Sequence, residues 1–189
     1  KLVTVGFDYR FGYKAAGDSE YLLFLGEKEG FQVNIIKPIY VNNEVVSSTR
    51  IRNLIKSGYI KKANNLLGRD YFIIGKVIKG KSRGSKMGYP TANLKLENNY
   101  IIPKTGVYKT ITLLDTKEYT SLTNIGYNPT FNENELKIEN YILDFSGDLY
   151  NKFIEVKFVE FIRDDIKFNT TKELIKQIEK DVEYVKKHQ

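Results

Sequence analysis

The period of the apolar residues changes at Tyr71, and this change constrains the fold more than any other feature. From there on, short segments alternate apolar and polar side chains and are separated by Gly, Pro or Asn turns, which is typical of strands. The segments are 71–79, 107–114, 119–125, 137–145 and 153–162. Such a succession of short strands predicts an antiparallel β-barrel or sandwich.

The residues on either side of this β-rich part have a different periodicity. Residues 1–68 predict an α/β arrangement with strands at 2–5 and 31–36 and helices at 19–29, after Ser48 and at 60–67. At the other end, Thr170 and Glu173 form a capping box before an apolar stripe, so we expect a helix docked on the β-structure. The predicted fold class is α+β, with domains 1–68 and 69–189.

Composition and charge limit the partners. The chain has no cysteine, which excludes disulfides and thiolate metal sites. No apolar run approaches the roughly 20 residues of a membrane span, and no signal segment opens the sequence, so we expect a cytoplasmic protein without a membrane partner. The net charge of +7 suits a nucleotide, a nucleic acid or an acidic membrane, although solubility alone also explains it. Because Lys1 leads at once into an apolar strand, we expect the sequence to be cut from a longer one.

The strongest chemical signal is the run from Gly80 to Asn93. Its glycines allow close backbone approach to an anion and its basic side chains supply charge, yet the spacing is not that of a Walker A loop. A mobile surface loop has the same composition. Thr91 and Asn93, however, point the same way in an extended segment, about 6–7 Å apart. Two neutral oxygens suit Mg²⁺ when phosphates complete its shell.

The run over residues 80–93 resembles the signature of riboflavin kinases. The resemblance continues over about 120 residues through 106–108, 124–131, 139–145, 149–150 and 162–168. It implies a Greek-key antiparallel β-barrel with a C-terminal helix. It also implies transfer of a phosphoryl group from Mg-ATP to riboflavin, with FMN and ADP as products.

The same resemblance implies roles for single residues. Glu139 corresponds to the general base, and Thr91 and Asn93 to the Mg²⁺ ligands. The positions that correspond to ATP contacts are Gly80, Lys86, Thr91, Asn93, Ile142, Asp144 and Tyr150, and those for the flavin are Arg163 and Ile166. Ile166 departs from the Lys found in some members. The strand pattern alone leaves open whether Glu139, in phase with Tyr141, faces inward or outward.

Residues 1–68 resemble the adenylyltransferase part, a Rossmann-like nucleotidyltransferase domain, of bacterial bifunctional riboflavin kinase/FAD synthetases. The resemblance rests on 5–12, 17–18 and 46–52, and the corresponding site residues are Asp8, Ser47, Ser48, Thr49 and Arg50. A Ser-rich helix start with arginines suits a phosphate, although helix capping also explains it. The family's His-x-Gly-His motif is missing, since the one histidine is His188. We therefore expect FMN adenylylation of the longer parent and not of this sequence by itself.

Two other functions fit part of this pattern. A basic β-barrel that binds nucleic acid combines positive charge with aromatic residues in the same way. A non-catalytic flavin-binding remnant is the other, although Thr91, Asn93 and Glu139 are all present. The kinase hypothesis predicts small-molecule substrates and no nucleic-acid partner, and the sequence does not predict an oligomeric state.

Overall fold

The computed structural model describes residues 1–80, 84, 88–130 and 133–188. The chain divides into two compact units, Lys1–Ser47 and Ser48–Gln189.

The first unit is built around one parallel strand pair, as its α/β periodicity predicts. Strands β1 (Leu2–Gly6) and β4 (Gln32–Ile36) pair in parallel, and α1 (Ser19–Glu29) lies between them in sequence. The Asp18 carboxylate accepts a hydrogen bond from the Tyr21 N–H at 2.8 Å and so caps the start of α1. Two short hairpins complete the unit: β2 (Arg10–Phe11) with β3 (Gly17–Asp18), and β5 (Tyr40–Val41) with β6 (Glu44–Val45).

The second unit contains a closed barrel in which neighbouring strands are antiparallel. Its strands are β7 (Tyr71–Ile78), β8 (Ala92–Leu96), β9 (Gly106–Leu114), β10 (Lys117–Thr130), β11 (Glu133–Ile142) and β12 (Phe153–Arg163). The order around the barrel is β10-β11-β8-β7-β12-β9, which confirms the predicted antiparallel barrel. The sequence analysis did not predict β8 as a strand. It also placed the end of β11 three residues too late, because the chain leaves the sheet at Ile142 and takes a positive φ of 52° at Asp144.

Alternate residues of the strands fill the barrel with apolar side chains. Fully buried examples are Ile73, Ile125, Ile154, Val156 and Phe158. Two helices, α2 (Ser48–Lys56) and α3 (Ile60–Leu67), contribute Ile55, Ile60 and Ala63 to the same core. The α2–α3 pair therefore belongs to the compact unit of the barrel, whereas the sequence analysis grouped it with residues 1–68.

The C-terminal helix α4 (Thr171–Lys187) packs on the outside of the barrel, as predicted. Thr170 Oγ1 accepts the Glu173 N–H at 3.2 Å, which is one half of the predicted capping box. The Glu173 carboxylate accepts the N–H of Asn169 at 3.1 Å instead of that of the N-cap Thr170. The helix and the barrel share a second apolar cluster that includes Val185, Val107, Leu122 and Leu143. Among the described residues, no helix has the length and apolar character to cross a bilayer.

Candidate active site

Three polar side chains lie in a row on the outer face of neighbouring strands. The register pairs Asn93 of β8 with Glu139 of β11, and Glu139 with Asn124 of β10. Directly paired residues of antiparallel strands point to the same side, with their Cβ atoms about 4.5–5.5 Å apart. Ile138 and Asn140 are buried inside the barrel, so Glu139 between them faces outward. The question that the strand pattern left open is thereby answered.

Glu139 is a partly accessible carboxylate with a cation beside it. Its side chain is 25% exposed, and the Lys137 Nζ lies 2.8 Å from its Oε1. On the other side along the strand, Tyr141 packs edge-to-face against Tyr89 with ring centroids 5.5 Å apart. Burial and the nearby Glu179 carboxylate raise the pKa of Tyr89, so its hydroxyl stays neutral. The Tyr89–Tyr141 contact thus attaches the end of the glycine-rich segment to the strand of Glu139.

Two glycines leave room for the side chains of Thr91 and Asn93. A Cβ atom on Gly80 would collide with the Asn93 carboxamide. A Cβ atom on Gly84 would collide with the Tyr89 carbonyl and lie 3.3 Å from Thr91 Oγ1. The backbone therefore wraps closely around these two oxygen-bearing side chains, a cradle that suits a small hydrated cation with phosphate oxygens. Lys86, which the sequence analysis assigned to phosphate binding, lies outside the described residues.

A pocket of about 370 Å³ opens at the mouth of the barrel beside Thr91. Val77, Ala92, Asn140 and Ile142 of three strands line its inner end, and residues 145–150 form a wall. Its size lies within the range of small-molecule sites. Ile142 and Tyr150, both predicted nucleotide contacts, line the pocket. Asp144 does not line it; its side chain is 78% exposed and lies 3.5 Å from Lys186 Nζ.

A closed ring of hydrogen bonds fixes Asn140 at the inner end of this pocket. Because the carboxamide oxygen only accepts and its nitrogen only donates, the direction of every bond follows. The ring runs from Asn140 Nδ2 through the hydroxyls of Thr123, Thr110, Ser121 and Thr112 and back to Asn140 Oδ1, with distances of 2.8–3.1 Å. All five side chains are fully buried. Each member donates once and accepts once, so polar groups are tolerated inside the barrel.

The structure places the two predicted flavin contacts at the end of β12 and just beyond it. Arg163 Nε donates to both carboxylate oxygens of Asp181 on α4 at 3.1 Å, and Nη2 donates to Oδ2 at 2.7 Å. Nη1 donates to the Asp164 carbonyl at 3.0 Å. Ile166 is exposed, and its N–H donates to Asp165 Oδ1. The guanidinium is thus committed to anchoring α4, a partnership that the sequence analysis missed.

The predicted adenylyltransferase positions fall in both units. Asp8 follows β1 and is exposed, and Ser47 is the last residue of the first unit. Ser48, Thr49 and Arg50 form the first turn of α2 in the second unit.

The comparisons with known proteins match this architecture. A family model described as riboflavin kinase matches residues 67–189, which is more than half of the chain. The chain belongs to the riboflavin kinase family. A second model, described as FAD synthetase, matches residues 1–50.

The relatives of this riboflavin kinase family member include longer proteins. The bifunctional riboflavin kinase/FMN adenylyltransferases of Listeria monocytogenes and Bacillus subtilis are 39% and 38% identical over 95% and 94% of the chain. The chain spans 57% of the length of each. A crystal structure described as a macrolide-efflux protein from Streptococcus pneumoniae has a TM-score of 0.88 and 34% identity, covering 98% of this chain and 60% of that one.

The sequence analysis named Glu139, Thr91 and Asn93 but missed other parts of the site. Lys137 and Tyr141 flank Glu139 at a spacing of two, which is the signal for one shared strand face. Asn124 was noticed only as part of a motif, because its pairing with Glu139 depends on the strand register.

Proposed function

We propose that this chain is a riboflavin kinase that transfers the γ-phosphoryl group of ATP to the 5′-hydroxyl of riboflavin. One observation carries the proposal: the candidate base Glu139 is the direct cross-strand neighbour of Asn93, which shares its cradle with Thr91. A base next to a cation site on the neighbouring strand fits a reaction in which an alcohol attacks a metal-bound phosphate. The family membership of residues 67–189 supports the same reaction.

The pocket suits the nucleoside of ATP, with Ile142 and Tyr150 against the base. The phosphates then extend past Thr91 along Gly80. Lys86, outside the described residues, stays assigned to phosphate binding by the family resemblance. Thr91 Oγ1 and Asn93 Oδ1 would hold Mg²⁺, which neutralises developing phosphate charge when bound. Asp144 remains assigned to the nucleotide side, at the turn that closes this end of β11.

Glu139 takes the proton from the riboflavin 5′-hydroxyl as that oxygen attacks the γ-phosphorus. The bond from the γ-phosphorus to the bridging oxygen breaks, and ADP leaves with the electron pair. The flavin lies against the segment that contains Arg163 and Ile166, at the end of β12. Positioning and cation charge supply the larger part of the rate enhancement in such transfers.

The test is the substitution Glu139→Gln, which keeps the size of the side chain and removes the base. We expect kcat for FMN formation to fall about 10²–10⁴-fold. Glu155→Gln is a matched control, because Glu155 is 23% exposed on another barrel strand and has Lys157 two residues away at 4.0 Å. Chromatography of FMN formed from riboflavin, ATP and Mg²⁺ measures both. A kcat of Glu139→Gln within threefold of the control contradicts the assignment.

Riboflavin kinase is favoured over a nucleic-acid-binding barrel by the family match of residues 67–189. Stacking platforms for bases need exposed rings. Tyr108 and Phe158 are fully buried and pack edge-to-face at 5.2 Å, whereas Tyr127 and Phe153 are exposed.

We further propose that residues 1–68 are part of an FMN adenylyltransferase domain in a longer bifunctional protein, with residues 69–189 as the kinase domain. By the resemblance, Asp8, Ser47, Ser48, Thr49 and Arg50 stay assigned to that domain. The match of residues 1–50 to the FAD synthetase model supports this assignment. Because His188 is the one histidine of the sequence, the chain itself forms no FAD from FMN and ATP. The cytoplasmic location stays a prediction.

A further inference from the structure

The carboxamide oxygen of Asn124 is a buried acceptor without a partner. Of the buried side-chain nitrogen and oxygen atoms in the described residues, it is the one that makes no hydrogen bond. A buried acceptor left unpaired is costly, and native proteins leave few of them. The position of this atom therefore needs a physical explanation.

The four side chains directly next to Asn124 on the outer face supply no donor. Along β10 its neighbours at a spacing of two are Leu122 and Gly126. Across the strands it pairs with Glu139 on one side and Val107 on the other. Two of these side chains are apolar, one is absent and the ionised carboxylate only accepts. Lys137, diagonal to Asn124 across the strands, bonds Glu139 instead, so a hydroxyl of a bound molecule can serve as the donor for Asn124 Oδ1.

Gly126 separates Asn124 from the segment that follows β12. A Cβ atom on Gly126 would lie 3.9 Å from Asn124 Nδ2 and 3.6 Å from Asp165 Oδ2. Both are ordinary van der Waals distances, so Gly126 leaves room for a methyl-sized group between Asn124 and Asp165. Glu139 lies on the other side of Asn124, so Asn124 stands between the candidate base and the segment assigned to the flavin.

We infer that Asn124 Oδ1 accepts a hydrogen bond from an internal hydroxyl of the ribityl chain and so positions the 5′-hydroxyl on Glu139. The inference rests on the proposed kinase function and adds a residue that selects the polyol chain of the substrate. A polyol supplies the hydroxyl donors that the protein surface lacks here. A site that hydrogen-bonds a substrate hydroxyl discriminates strongly against an analogue without it, because the protein group is then left unpaired.

The test combines a protein change with a substrate change. Asn124→Leu keeps the branched shape of the side chain and removes the acceptor. An isoalloxazine with a 5-hydroxypentyl chain at N10 lacks the internal hydroxyls but keeps the terminal one. We expect Asn124→Leu to lower kcat/KM for riboflavin roughly ten- to a hundredfold and to change kcat/KM for the hydroxypentyl flavin less than about threefold. The KM for ATP stays unchanged.

Thermal unfolding supplies a readout that separates this role from a structural one. Because Asn124 Oδ1 has no partner in the free protein, Asn124→Leu should leave the melting temperature unchanged or raise it. Asn64→Leu is the matched control: its carboxamide donates to Asp70 and to the Phe158 carbonyl and accepts the Tyr71 N–H, so that variant should melt lower. Its preference for riboflavin over the analogue should equal that of the wild type.

Two results overturn the inference while leaving the kinase function intact. One is an equal loss of kcat/KM for both flavins in Asn124→Leu, and the other is a drop in melting temperature as large as that of Asn64→Leu. A wild-type chain that forms no FMN overturns the proposed function, and the inference falls with it.

Discussion

The ion pair between Arg163 and Asp181 should be the main polar attachment of α4 to the barrel. The Asp181 side chain is 6% exposed and that of Arg163 is 17% exposed. Asp181 accepts three contacts from the guanidinium and one from Gln177 Nε2 at 2.9 Å. Removing one partner of such a pair leaves a buried charge uncompensated, which costs about 3–5 kcal/mol.

We therefore expect Asp181→Ala to lower the free energy of unfolding by about 3–5 kcal/mol. The midpoint of thermal unfolding should fall by about 10 °C or more for a unit of this size. Urea titrations followed by circular dichroism measure the first quantity. Gln177→Ala is the matched control, because it removes one hydrogen bond from the same carboxylate and should cost only about 1 kcal/mol.

The double variant Arg163→Met, Asp181→Leu tests the reasoning directly. Replacing both charges with apolar side chains removes the stranded charge, so its unfolding free energy should lie within about 1–2 kcal/mol of the wild type. The riboflavin KM of this variant then shows whether the guanidinium also contacts the flavin. An Asp181→Ala protein as stable as Gln177→Ala, or a double variant less stable than Asp181→Ala, would refute the account.

Two further predictions concern buried polar groups. Thr110→Val breaks the ring of hydrogen bonds at Asn140 and leaves the Thr123 hydroxyl without an acceptor. The free energy of unfolding, measured by urea titration, should therefore fall by about 1–3 kcal/mol. An unchanged free energy of unfolding would contradict the bond directions assigned to the ring. Burial raises the pKa of Tyr71 to about 12, while its hydroxyl donates to the Ile101 carbonyl at 2.7 Å. In the unfolded state the Tyr71 hydroxyl ionises near pH 10, so the free energy of unfolding should fall as pH rises from 10 toward 12. Tyr71→Phe should make that fall smaller. An equal dependence of the unfolding free energy on pH in the wild type and the variant would contradict this prediction.

The alternating pattern predicted most barrel strands because their inner residues are apolar. In β12, Ile154, Val156 and Phe158 are fully or almost fully buried, and a period of two is clear. The short strand β8 was missed because it has only five residues and begins two positions after Pro90. Its place depends on partners distant in sequence, Ile78 of β7 and Glu139 of β11, which no local period indicates.

The face of Glu139 could not be predicted for a different reason. The inner residues around it are Ile138, Asn140 and Ile142, and the outer face carries Tyr141, so both faces contain apolar side chains. Around Asn140, the barrel interior also contains the hydroxyl groups that hydrogen-bond to its carboxamide. A polar residue is stable there only because the ring satisfies it, and that ring joins three strands.

Asn124 and Asn140 show how far the site depends on register. Both are asparagines on paired strands, and each alternates with apolar or small neighbours in the sequence. Asn140 points inward and finds a donor and an acceptor in the ring. Asn124 points outward beside Glu139, and its oxygen finds neither a protein donor nor water access. A shift of one residue in the strand register would turn the inward-facing side chains outward and the outward-facing ones inward. The same register therefore closes the polar ring inside the barrel and leaves one acceptor open beside the candidate base, which is where a substrate hydroxyl is needed.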